Sequence, residues 1–245
     1  MSNEIIPNEN MALAFQDTVP TGSMAALTSY SQGKGKFFTG PDGEETGAIF
    51  GVFLYSVRPT RSWWEKDGGG KPPTCWSLDS IKPDDLVPEA DRQSEACRGC
   101  PNDELGTAKV GAGKACRAKA VDFFLEFADV GKCDKLSDEV PVNMAQLMGP
   151  AMVRYSIGNR MAEGGLLAAA RAAKRLSVYP QQMIWEWSFA VGKSKSGTAF
   201  DYVTLTPIGL CPKDLMPQIM TVVTELKNGE ARRVLRAMSS SSSSD

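Results

Sequence analysis

Apolar and polar positions alternate most regularly over residues 183–191 (MIWEWSFAV), where Trp185, Trp187 and Phe189 fall on one face, and again over 199–207 (AFDYVTLTP). The polar stretch 192–197 (GKSKSG) lies between the two runs, and together they predict a β-hairpin whose tryptophan face belongs to the core. Residues 47–57 (GAIFGVFLYSV) are dense in β-branched and aromatic side chains and read as a buried strand. Residues 31–40 (SQGKGKFFTG) are turn-like, with Phe37 and Phe38 opening a strand. The period of 121–128 (VDFFLEFA) fits a second strand or a short helix. Helical spacing is expected over 153–161 and 166–176, separated by Gly164 and Gly165. After Pro212, the positions Leu215, Met216, Ile219, Met220, Val222, Val223 and Leu226 share one helical face, broken at Asn228 and Gly229.

Between these elements the pattern fails in informative places. Residues 1–30 show no sustained period and read as a flexible arm, and 66–73 (KDGGGKPP) is a flexible break. Residues 75–116 are loop-rich, with Pro83, Pro88 and Pro101, and hold too little apolar material for a core of their own. The serine-rich run 239–245 is too polar to pack and reads as a disordered tail. The organisation expected is one domain over 31–238 with an insertion at 73–119. The longest apolar stretch, 48–55, is too short to cross a bilayer, and the first ten residues carry two glutamates and no base, unlike a secretory signal. A cytoplasmic protein without a membrane partner is expected.

Composition narrows the chemistry. The 245 residues carry 27 basic and 29 acidic side chains, net charge -2, and no histidine. That excludes Ser-His-Asp and Cys-His nucleophiles and every histidine-ligated metal. Six cysteines remain: Cys75, Cys97, Cys100, Cys116, Cys133 and Cys211. In a reducing compartment structural disulfides are disfavoured. Cys97-Arg98-Gly99-Cys100 has the two-residue spacing that turns both thiolates toward one ion, and Cys75 and Cys116 flank it in segments unable to fold unaided. Four thiolates closing a tetrahedron around structural Zn²⁺ are the reading adopted, with Cys133 as rival for the fourth position and an iron–sulfur cluster as the other metal choice. Cys211, beside the hairpin, reads as a small buried residue. A nucleotide-binding Gly-Lys-Ser loop fails because Trp187 stands where its first glycine belongs, and a deaminase motif fails for want of the glutamate near Cys75.

Local charge is uneven. Residues 109–119 hold Lys109, Lys114, Arg117 and Lys119 with no acid, whereas 79–104 is strongly acidic. Arg58, Arg61, Trp63, Trp64 and Lys66 interleave cations with aromatics within nine positions. Single-stranded nucleic-acid sites combine a basic groove with rings on which bases stack, at about 1–3 kcal/mol per base. Neighbours on a strand point to opposite faces, so Trp63 and Trp64 cannot both enter one core. Arg58, Arg61, Trp63, Trp64, Lys66, Lys114, Arg117 and Lys119 are the candidate nucleic-acid contacts, with Arg154, Arg171 and Lys174 as the alternative site. Asp84-Asp85 and Asp103-Glu104, both in the acidic loop, are the paired acids weighed for catalysis, and no enzyme activity is expected.

The strings Thr74-Cys75-Trp76-Ser77-Leu78-Asp79, Cys97-Arg98-Gly99-Cys100-Pro101-Asn102, Gly106-Thr107-Ala108 and Gly113-Lys114-Ala115-Cys116-Arg117 resemble a pattern of bacteriophage-encoded proteins: a lone Cys, a Cys-x-x-Cys-Pro-Asn and a Gly-Lys-Ala-Cys-Lys/Arg. The resemblance covers about 73–119. It implies single-stranded-DNA binding in replication or recombination within a host cell, with replication or recombination proteins as partners of the tail. Asp103-Glu104-Leu105 departs from the pattern, which favours an apolar or aromatic residue there. The architecture expected is α+β and β-dominated: an open barrel of the oligonucleotide-binding type, a four-cysteine zinc loop inserted in it, and helices at 153–176 and 214–238. The competing function is a zinc-stapled protein-interaction module acting on a polymerase or nuclease.

Overall fold

The computed structural model describes residues 27–33, 35–39, 43–65, 73–109, 113–156, 166–193, 197 and 199–240. Most of the expected arm (1–26), Lys66, and residues 241–245 of the expected tail lie outside the described residues. Nine strands form one sheet: β1 (Thr28–Gly33), β2 (Lys36–Thr39), β3 (Glu45–Thr46), β4 (Ile49–Trp63), β5 (Cys75–Ser77), β6 (Arg117–Phe127), β7 (Leu147–Ser156), β8 (Met183–Lys193) and β9 (Ala199–Leu210). Their spatial order is β3-β2-β1-β7-β6-β4-β8-β9, with β5 against the far end of β4. All these pairings are antiparallel except β1 with β7. Among the described residues three α-helices accompany the sheet: α1 (Leu166–Arg175), α2 (Met216–Glu225) and α3 (Ala231–Ser240). The protein is thus β-dominated, with a curled, open sheet and few helices.

The 183–207 hairpin forms as β8 and β9, paired from Met183 opposite Leu210 to Lys193 opposite Ala199 with a register shift between Ile184 and Trp185. Trp185 and Trp187 are fully buried. The ambiguous 121–128 segment is strand: β6 sits mid-sheet and every residue from Ala120 to Phe127 is buried. Alternation sends Val121, Phe123, Leu125 and Phe127 to one face and Ala120 and Phe124 to the other. Two expectations are corrected. Residues 153–156, read as the start of a helix, continue β7, because burial between β6 and β1 outweighs a helix propensity worth only tenths of a kcal/mol per residue. Residues 28–30, assigned to the arm, belong to β1 and pair with Ala151, Met152 and Val153 of β7.

One face of the sheet carries Val52, Leu54, Val121, Phe123 and Leu125, and it is covered by Ile219, Val223 and Leu226 of the α2 region and Val234 and Leu235 of α3. Gly229, at φ 121°, breaks the helix between α2 and α3 where the Asn-Gly pair predicts. α3 then runs through Ser240, two residues into the expected tail.

The opposite face folds toward itself. Phe37 of β2 and Phe189 of β8 come within 4.4 Å, centroid to centroid, although four strands separate them in the sheet order. Phe124 and Trp187 pack beside them, their rings tilted by 31° with centroids 4.7 Å apart. Gly51 permits β4 and β6 to approach, since a Cβ there would lie 2.4 Å from the Leu125 carbonyl oxygen. Two carboxyls enter this apolar face. Asp122 accepts from the Ser56 hydroxyl at 2.7 Å and the Tyr155 phenol at 2.5 Å. Glu126 accepts from Tyr30 at 2.5 Å through Oε1, while its Oε2 has no hydrogen-bond partner among the described residues.

Burial pushes the Glu126 carboxyl above its ordinary value, opposed by the Tyr30 hydrogen bond. A group raised in the folded state adds stability below its unfolded pKa, and that stability is lost as pH climbs through the raised folded value. Glu126→Gln, a permanently neutral acceptor for Tyr30, is therefore expected to gain stability relative to the wild type as pH rises from about 5 to 8. Urea unfolding at both pH values measures it; a difference that does not grow with pH contradicts the assignment.

Candidate nucleic-acid interface and cysteine cavity

The far half of β4 organises the candidate site. Its register sets Arg61 opposite Ser77 and Trp63 opposite Cys75 on β5. Directly paired residues share a face, and all four of these line one cavity together with Cys97, Cys100 and Cys116. The loop is built from backbone hydrogen bonds: Cys97 N–H donates to the Ile81 carbonyl at 2.8 Å, and Cys116 N–H to that of Asn102 at 2.7 Å. Gly99, at φ 80°, makes the left-handed step inside the Cys-x-x-Cys turn. Thr107 staples the arms, its hydroxyl donating to the Glu104 carbonyl and accepting from Ala115 N–H.

Burial pushes the thiols of Cys75 and Cys97 up, and that of Cys116 up to about 11, while the Arg61 charge pulls Cys97 and Cys116 the other way. Among the described residues no group of three or more His, Cys, Asp or Glu side chains is arranged to hold a metal ion. The donor set itself fits zinc: the chain supplies four thiols around one cavity, a neighbouring cation and no competing imidazole. Cys133 lies elsewhere, its sulfur 3.5 Å from the Glu139 carbonyl oxygen, and Cys211 is buried beneath α2.

The other face of the same strands carries cations. Ser62 pairs with Arg117, Thr60 with Lys119, and Val121, two residues on, with Arg154 of β7. The Lys119 ammonium stands 5.9 Å from the Trp64 ring centre, within cation–π range. Burial lowers the Lys119 pKa, and the charges of Arg154 and Arg117 lower it further. Of the eight expected contacts, the structure gathers Trp64, Arg117 and Lys119 on this side and adds Arg154, whose guanidinium is largely buried and its pKa lowered by that burial. Trp63 turns to the cysteine cavity. Arg61 and Lys114 both pair with Asp103. Arg58 belongs to β4, but its side chain, like Lys66, lies outside the described residues. The sequence offers Arg154 only within the alternative site, because its proximity to Lys119 depends on the β6–β7 register.

A third contact ties the loop to the end of the fold. Arg236 of α3 donates from Nε to the Asp84 carboxylate at 3.1 Å, and that carboxylate also accepts from Leu86 N–H. No helix among the described residues is long and apolar enough to cross a membrane. Compared with known proteins, the chain matches no family model, no curated protein and no solved structure.

Arg236→Ala leaves the buried Asp84 without its cation. The expected cost is roughly 1–3 kcal/mol of stability, read by urea unfolding, with faster labelling of the cavity cysteines by a thiol reagent. Unchanged labelling and stability together would detach α3 from the loop.

Proposed function

We propose that the protein binds single-stranded DNA without sequence preference and without catalysis, through a surface formed by Trp64, Arg117, Lys119 and Arg154. A structural zinc ion on Cys75, Cys97, Cys100 and Cys116 completes the proposal; when bound, it supplies the cross-link that holds the 75–116 loop in place. The observation that carries the reading is the Lys119 ammonium over the Trp64 ring, with Arg117 and Arg154 bearing on the same ammonium. An aromatic platform inside a cation cluster has what a single strand requires: a face for a base and charges for the flanking phosphates. The net charge of -2 leaves local charge as the source of attraction. In this reading the sheet is of oligonucleotide-binding type, but aromatic side chains fill its concave face, and the strand runs along the outer rim of β4, β6 and β7. The resemblance of the cysteine motif is the support for a role in phage DNA replication or recombination in the host cytoplasm, with partners recruited through the serine-rich tail.

The second reading, a protein-interaction module, is favoured by one observation: Ile81, Leu86 and Leu105 stand exposed on the cysteine-bearing segment. Titration of a labelled single strand at two salt concentrations separates the two. DNA binding predicts a steep salt dependence, with a slope of roughly −0.7 per phosphate contact. Lys119→Met or Arg117→Ala is expected to flatten that slope by about 0.7, and Trp64→Ala to cost about 1–3 kcal/mol and most of the fluorescence quench. Weak binding with a salt response indifferent to these residues establishes the interaction module instead.

A further inference from the structure

Arg61 and Asp103 have surroundings unlike those of a nucleic-acid contact. Asp103 occupies the short helical turn that follows Cys100, and its N–H donates to the Cys100 carbonyl at 2.8 Å. Its carboxylate takes two cations: Arg61 from β4 in direct ion pair, and Lys114, 3.1 Å away and two residues before Cys116. The side chains of Arg61 and Asp103 are only 20% and 15% exposed. Arg61 lines the cavity with all four cysteines. To reach a phosphate it would have to leave a largely buried ion pair, a costly exchange.

Four thiolates around a divalent ion carry two surplus negative charges, and a half-buried cavity solvates such charge poorly unless a cation stands beside it. We infer that Arg61, oriented by Asp103, is the counter-ion and positioning residue of the four-thiolate metal centre and not a DNA contact. The inference rests on the zinc part of the proposed function. Asp103 joins three pieces of chain that carry the ligands: β4, which pairs with the strand of Cys75; the turn of Cys97 and Cys100; and the arm of Cys116. The clasp holds the sulfurs around one space, and Arg61 balances them.

The test uses the full chain and zinc, with a chromophoric chelator as competitor and the Co²⁺–thiolate absorption band as a report on the ligand set. Partners that orient ligands typically govern about 10–100-fold in metal affinity. Arg61→Met is expected to weaken zinc by that factor, Arg61→Lys to restore part of it, and Asp103→Asn to weaken zinc while keeping the cobalt band. Zinc-loaded Arg61→Lys should bind a labelled single strand with the wild-type salt slope. If Arg61→Met prevents folding, Arg61→Lys and Asp103→Asn carry the measurement. Wild-type affinity for zinc in all three variants overturns the inference and leaves the zinc centre standing. A salt slope shallower by about 0.7 in Arg61→Met makes Arg61 a phosphate contact and also overturns it. A wild-type protein that takes up neither zinc nor cobalt sinks the metal centre itself, before any variant is compared.

Discussion

The pairing of β4 is the constraint on which the rest depends. This strand runs for 15 residues, yet β8 accompanies it only from Ile49 to Val52. Beyond that point one edge of a long strand lacks its neighbour, and an uncovered edge invites association with other chains. The short β5 covers that edge at Arg61, Ser62 and Trp63, and it arrives with the cysteine loop attached. Two environments follow from a single alternation. Arg61 and Trp63 turn inward to the sulfurs, while Ser62 and Trp64 share the outward face of Arg117 and Lys119. Loop and cation surface are therefore opposite sides of one strand end, and whatever orders the loop also steadies the platform.

The main body of the sheet makes this arrangement rigid. Apolar side chains cover β6 on both faces, and α2 and α3 close one side. On the other, aromatic contact in place of backbone hydrogen bonding draws β2 toward β8. The polar groups admitted there carry their own partners: Asp122 between Ser56 and Tyr155, Glu126 with Tyr30. Such bonds fix the register of β6 against β4 and β7, and with it the spacing of Arg117, Lys119 and Arg154 along the rim.

What was legible in the sequence divides along the line between local and non-local physics. The 183–207 hairpin announces itself because period-two alternation and turn chemistry coincide there. The break at Gly229 is equally local. The spacing of the cysteines selects the four that line the cavity, although only the fold sets Cys133 aside. Residues 153–156 look helical in isolation, and their strand state comes from partners distant in sequence, β1 and β6. The same holds for the cation surface. Trp64, Arg117 and Lys119 stand out by composition, but Arg154 joins them only through a strand register, and the capture of Arg61 and Lys114 by Asp103 is visible only when the loop has folded back on β4.

The Arg236–Asp84 contact has a consequence in time. Its partners are 152 residues apart, so on the ribosome the loop emerges long before the residue that clamps it. At roughly 5–20 residues per second, Asp84 waits about 8–30 s for Arg236. β8 and β9 are added only late in that interval, and α3, which carries the partner of Asp84, comes at its end. The order of synthesis lets the loop settle first and brings Arg236 against it afterwards.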